Sequence, residues 1–157
     1  MSPRITATDT APSIWGVAEF ISKRPDVDIL VLIQVTSPFV KSEHLKLAVK
    51  QIQHPVPFDC IFSVVRTHKL RWTLKQGKAK PLNFNTSKRP RRQDWDGELV
   101  ETGGFYIFRT NIVESGFIQN SNCTVWEVSQ EESLEIDSEY DILVADRFLY
   151  TNRAQNR

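Results

Sequence analysis

Two groups of residues have the types and spacing for chemistry between anionic reactants. Lys88, Arg89, Arg91 and Arg92 crowd into one short run. Planar guanidinium forks bind carboxylate and phosphate bidentately, and fixed positive charge offsets the charge that develops on a phosphoryl group in transfer. The run also has two plainer readings, a solvated loop and an address read by nuclear import receptors. Glu135 and Asp137 form the second group, just before the last helical pattern, where an extended strand would put both carboxylates on one face. They repel unless a cation joins them, and Mg2+ accepts one or two carboxylates together with substrate phosphates. The plainer reading is an acidic patch complementing a helix N-terminus, which Asp141 fits best.

Other residues are candidates by position. Gln34 ends an apolar run, and its amide both donates and accepts, which suits a hydroxylated ligand. Ser13 opens a helical stripe, and a plain N-cap suffices to explain it. Thr36 and Ser37 either shape the turn before Pro38 or meet a ligand directly. Gly103 and Gly104 permit close ligand approach or mark a β-bulge at a strand start. Phe105, Tyr106, Trp72, Trp95 and Trp126 read as packing residues, while His44, His54 and His68 lack metal-ligand spacing and read as surface groups.

The elements that must position these groups follow from periodicity. Ile14, Val17, Ala18 and Ile21 form a helical stripe. Asp28 to Gln34 is a continuous apolar run, expected as an interior parallel strand covered on both faces. A second helix opens at Ser42, with Leu45, Ala48, Val49 and Ile52 in register, and ends at Pro55 and Pro57. The β-rich stretch 59–66 then closes a βαβ unit. From His68 to Glu98 periodicity stops: Arg71 to Leu74 and Lys80 to Leu82 flank a Gln76-Gly77 turn, and a basic loop follows. A strand from Gly103 to Phe108, a short helix capped by Thr110 and ended by Gly116, and a strand from Thr124 to Val128 resume the core. The last helix starts at Ser138 in a capping-box variant with Asp141 and carries Ile142, Ala145, Phe148 and Leu149; Thr151 to Arg157 read as frayed.

Composition sets outer bounds. A chain of 157 residues, 40% hydrophobic and 25% charged, suits one soluble globular domain. A net charge of +1 lacks the electrostatics of a nucleic-acid binder. The run Ile29 to Ile33 falls far short of the roughly 20 residues that span a bilayer, and no signal-peptide pattern opens the chain, so it reads as intracellular with no membrane partner. Cys60 and Cys123 sit in strand-like stretches, where two buried thiols are more economical than one disulfide.

Taken together, Gln34-Val-Thr-Ser-Pro38, Phe62-Ser-Val-Val-Arg66, Lys88-Arg-Pro-Arg-Arg-Gln-Asp-Trp95, Glu101-Thr-Gly-Gly-Phe-Tyr106 and Glu135-Ile-Asp137 resemble the N-acylneuraminate cytidylyltransferases, animal type, over roughly residues 9–150. The resemblance implies an α/β fold, a three-layer nucleotide-diphospho-sugar transferase-like (Rossmann-like) mixed sheet with a dimerisation arm at about 68–100. It implies transfer of CMP from CTP to the 2-hydroxyl of a sialic acid such as N-acetylneuraminic acid, with Mg2+ as cofactor and pyrophosphate released. By the same resemblance Arg92 is the catalytic residue, and Ser13, Gln34, Gly104 and Phe105 contact substrate. Glu135 and Asp137 hold the metal, although the family has Asp-Ile-Asp where this chain has Glu135-Ile136-Asp137.

The resemblance also makes Lys88, Arg89, Pro90, Arg91 and Arg92 a nuclear localisation signal bound by importin, with cytoplasm or Golgi as the alternative location. The implied assembly is a homo-oligomer, a dimer or tetramer of dimers, or a pairing with a full-length protomer. The family's glycine-rich phosphate loop has no counterpart before Ser13. One partial domain over residues 1–157 is therefore expected, truncated at its N-terminus and weak or inactive alone. The alternative is a catalytically inactive short form serving as a dimerisation or regulatory subunit.

Overall fold

The structure, a computed structural model, describes Thr8, residues 10–53 and residues 58–155, with only the backbone of 152–155. Along the chain run α1 (Ser13–Lys23), β1 (Ile29–Ile33), α2 (Ser42–Gln53), β2 (Cys60–Thr67), β3 (Trp72–Lys75), β4 (Lys78–Pro81), β5 (Glu98–Arg109), β6 (Cys123–Val128) and α3 (Glu139–Gln155). Single 3-10 segments occupy Arg92–Asp94 and Thr110–Ser115. The main sheet has the order β1-β5-β2-β6, and β3 and β4 make a separate two-stranded hairpin.

Alternation along the central strands sends side chains to two cores, giving three layers. Ile61, Phe105, Ile107 and Val128 meet Ala48 and Ile52 of α2, while Cys60 and Phe108 meet Val17 of α1 and Val113 of the second 3-10 segment. The stripe of α2 is thus the face expected from periodicity, and so is that of α1 through Ile14, Val17 and Ile21, while Ala18 is exposed. Pro55 and Pro57, expected to end α2, and His54 lie outside the described residues.

Several expectations need correction. β1 is antiparallel rather than parallel to its neighbour β5, with Ile29 opposite Arg109 and Ile33 opposite Phe105, and β5 is its one partner among the described residues. β5 returns from the hairpin excursion and inserts between β1 and β2, so the βαβ strands are parallel but not adjacent. Ser13 is the first residue of α1 rather than its cap, since the cap position is Pro12 and no side-chain cap bond forms. Thr110 likewise begins its segment without capping it, and its hydroxyl instead donates to the Val27 carbonyl at 2.8 Å. Gly116 does end that segment, at φ 83°. α3 continues through Thr151 to Gln155, and the expected Ser138–Asp141 reciprocity forms, with Ser138 Oγ 2.6 Å from Asp141 Oδ2.

Cys60 and Cys123 form a disulfide rather than two thiols. The physical reason is register: they are directly opposed in the parallel β2–β6 pair, with Cα atoms 4.6 Å apart, inside the range a disulfide spans.

Candidate active site

The carboxyl end of β1 positions most of the candidate groups. Gln34 leaves the strand with its N–H donating to the Gly104 carbonyl at 3.1 Å, and its side-chain amide donates to Glu135 Oε1 at 3.3 Å. Thr36, in the following turn, accepts from the Ile136 N–H at 2.8 Å. That bond pins the acidic segment beside β1. Ser37 is buried and folds back onto the Gln34 carbonyl through its N–H, so both Thr36 and Ser37 shape the turn.

β5 is irregular at this level. The β2–β5 register shifts between Phe62 and Val64, and Gly103 takes φ 69°, a left-handed value that favours glycine. A buried hydroxyl pair repairs the ladder: Ser63 Oγ accepts from the Phe105 N–H at 3.0 Å and from Thr102 Oγ1 at 2.8 Å. Gly103 is also where space is tightest. A Cβ there would lie 2.6 Å from Glu135 Oε1 and 3.1 Å from Gln34 Nε2. The glycine therefore serves both the bulge and close approach.

Glu135 and Asp137 do not lie on a strand, as expected from sequence, but in an irregular stretch between β6 and α3. Burial, and then the nearby Asp137 charge, hold the Glu135 carboxyl above the usual glutamate range. Two neighbouring acids have structural roles. Asp141 caps α3, and Glu132 accepts from the Ser129 N–H at 2.9 Å while pairing with Lys41. Among the described residues no group of three or more His, Cys, Asp or Glu is placed to hold a metal ion; what this site offers is the Glu135 and Asp137 carboxylates.

The structure adds a neighbouring unit that sequence reading had assigned to packing. The Tyr106 hydroxyl donates to Glu101 Oε1 at 2.6 Å, and Gln119 Nε2 donates to Glu101 Oε2 at 3.0 Å. Burial, this bond and the charges of Glu101 and Glu135 hold the phenol above its usual range, so it stays a donor. Its signal in the sequence was a tyrosine within an apolar run, five residues after a glutamate. The Phe105 ring, by contrast, lies in the core, and what that residue can offer a ligand is backbone.

Two other candidates lie apart from this cluster. Arg92 is exposed in the basic loop, and among the described residues it has no hydrogen-bond or ion-pair partner; Arg91 is held by Asp94 at 2.9 Å. Ser13 lines a groove of about 400 Å3 with Gly16, Val17, Phe20 and Leu30 to Leu32. The histidines are less exposed than expected. His44 packs against Trp126, 3.9 Å from Glu132, and His68 packs edge-on to Trp95.

The mixed sheet covered on both faces is a nucleotide-diphospho-sugar transferase-like fold. It superposes on 4-diphosphocytidyl-2C-methyl-D-erythritol synthase from Anaerococcus prevotii with a TM-score of 0.62 at 10% identity, over 90% of this chain and 68% of that one. No family model matches the chain. In sequence it is 38% identical over 150 residues to N-acylneuraminate cytidylyltransferase A of Danio rerio, covering 93% of this chain and 34% of that protein. It is 40% identical over 150 residues to N-acylneuraminate cytidylyltransferase of Oncorhynchus mykiss, again covering 93% and 34%. The chain is a homologue of the animal N-acylneuraminate cytidylyltransferases over nearly its whole length, and it spans about a third of the length of these relatives.

Proposed function

We propose that the chain carries the sialic acid and metal half of a site that transfers CMP from CTP to the 2-hydroxyl of a sialic acid, releasing pyrophosphate. The supporting observation is the convergence of Gln34, the Gly103–Gly104 bulge and Glu135 at the carboxyl end of β1, the position where open α/β sheets bind ligands. In this reading the Gln34 amide and the exposed backbone at Gly104 and Phe105 orient sugar hydroxyls. Tyr106, kept protonated, donates a further bond. Glu135 and Asp137 would hold Mg2+, whose charge stabilises the departing pyrophosphate. The longer Glu135 side chain must fold back to share an octahedral ion with Asp137.

Arg92 supplies positive charge to the phosphoryl group, and among the described residues no ion pair ties up its guanidinium. Exposure of Lys88, Arg89 and Arg92 also supports recognition of this loop by a nuclear import receptor. The β3–β4 hairpin, with Trp72 and Leu74 exposed, suits an assembly arm.

Incubation of the chain with CTP, Mg2+ and N-acetylneuraminic acid tests the reading through CMP-sialic acid formation. Slow product formation abolished by Arg92→Ala supports it. Absence of product while the sugar still binds points to a non-catalytic subunit, and absence of both product and binding overturns the proposal. Among the described residues no helix is long and apolar enough to cross a membrane.

A further inference from the structure

Asn85-Thr86-Ser87 and Asn122-Cys123-Thr124 both have the asparagine-X-serine/threonine pattern of an N-glycan acceptor. The function proposed above uses neither, and the structure treats them differently.

Asn85 lies between the end of β4 and the basic run, and Asn85, Thr86 and Ser87 are all exposed. Asn85 Oδ1 accepts from the Ser87 N–H at 3.0 Å and from Ser87 Oγ at 2.8 Å, the geometry of an Asx-turn. The acceptor end of the amide is thereby tied to the hydroxyl that the pattern requires. Its Nδ2, the atom to which a glycan is joined, donates no hydrogen bond among the described residues. Asn83, two residues earlier, has both ends of its amide engaged: Nδ2 donates to the Lys69 carbonyl at 3.1 Å and Oδ1 accepts from the Arg71 N–H at 2.8 Å. Phe84 packs edge-on to Trp72. The chain is thus fastened to the hairpin through Phe84 and turns outward at Asn85, where a bulky hydrophilic group displaces no hairpin or core contact.

Asn122 is the opposite case. Its N–H donates to Asn120 Oδ1 at 2.8 Å, and its carbonyl accepts from the Asp59 N–H at 3.0 Å. Cys123 is tied to Cys60, and Thr124 continues β6 opposite Ile61. Extended backbone keeps the Thr124 hydroxyl from folding back onto Asn122 as Ser87 does onto Asn85.

The disulfide is a second, independent observation. Cys60 is 1% exposed, so its bond to Cys123 lies within the core. Disulfides form and persist in oxidising compartments, and the secretory lumen is also where asparagine-linked glycans are added.

We propose that Asn85 is an N-glycosylation site in a chain that folds in an oxidising lumen. The oligosaccharide comes from a lipid diphosphate donor. Asn85 Nδ2 attacks the anomeric carbon of its first sugar, and the nitrogen–carbon bond forms as the bond from that carbon to the diphosphate oxygen breaks. The lipid diphosphate leaves with the electron pair, and the amide gives up one proton. The glycan then stands just before Lys88 and keeps the basic run hydrated. A lumenal chain meets no import receptor, so in the glycosylated molecule this assignment replaces nuclear recognition of Lys88 to Arg92. It does not rest on the catalytic reading.

Peptide mapping of the protein isolated from the cells that make it tests this, under non-reducing conditions and after peptide N-glycosidase in heavy-oxygen water, which converts a glycosylated asparagine to labelled aspartate. The expected result is label at Asn85, none at Asn122, and Cys60 joined to Cys123. In the same cells the full chain carrying Ser87→Ala should lose its glycosidase-sensitive mobility shift, whereas Thr86→Ala and Ser87→Thr should keep it. An unlabelled Asn85, a shift that survives Ser87→Ala, or free thiols at Cys60 and Cys123 overturns the proposal.

Discussion

Gly103 concentrates the constraints of the site in one residue. Its φ of 69° disfavours any side chain, and a Cβ would intrude on Glu135 and Gln34. Alanine in this left-handed region costs about 1–2 kcal/mol. Gly103→Ala should therefore lower stability by that amount in urea unfolding and weaken sialic acid binding further, because the intruding methyl displaces the Glu135 carboxylate. Ser63 is the second sensitive residue. Ser63→Ala removes the acceptor of the Phe105 N–H, while Thr102 keeps the Ser63 carbonyl at 3.3 Å, and leaving that buried N–H unpaired should cost about 1–3 kcal/mol by the same measurement. Gln34 was legible as a polar group ending an apolar run, whereas the acidic pair was expected on a strand and lies instead in an irregular stretch that the Ile136–Thr36 bond brings to β1. Ser63 and Glu101 were not, because a hydroxyl or carboxylate reveals its role only when the bulge sets its partner.

Among the elements, the hairpin excursion depends on few ties to the sheet. Arg71 bonds Glu98 at 2.6 and 2.8 Å, joining the foot of the hairpin to the start of β5. The hydrogen bonds from Arg71 hold the Glu98 carboxyl below its ordinary value of 4.5, against a smaller opposing effect of burial. The depressed value means that this contribution is complete above about pH 4.5 and is lost as pH falls through the folded-state value. Trp72 fluorescence followed through acid titration should report hairpin loosening below the ordinary glutamate range, and Arg71→Ala should move that transition upward toward it. The face of α2 and most strands were readable from periodicity, but the expected apolar face of α3 was not borne out: Ala145 is buried, while Ile142 and Leu149 are exposed. The antiparallel pairing of β1 was not readable either, because β5, from a distant part of the chain, decides which strand becomes its neighbour.

For the whole molecule, the Cys60–Cys123 bond closes a loop with a sequence separation of 63. On the chain-entropy account it contributes about 4 kcal/mol. Reduction should lower the guanidinium midpoint accordingly, and intact mass under non-reducing conditions should show both cysteines oxidised. Two free thiols would contradict the pairing. Sequence alone favoured thiols because the register that opposes the two cysteines is a property of the assembled sheet. The meeting of β1, β5 and the segment before α3 at one end of the sheet is likewise a property of the assembled sheet, and the proposed function depends on it. Titration of isotopically labelled chain with N-acetylneuraminic acid, followed by amide resonances, tests that arrangement most directly. The account predicts saturable shifts at Gln34, Gly103, Gly104 and Glu135 that Gln34→Ala abolishes. Shifts confined to other surfaces, or binding unaffected by Gln34→Ala, would contradict it.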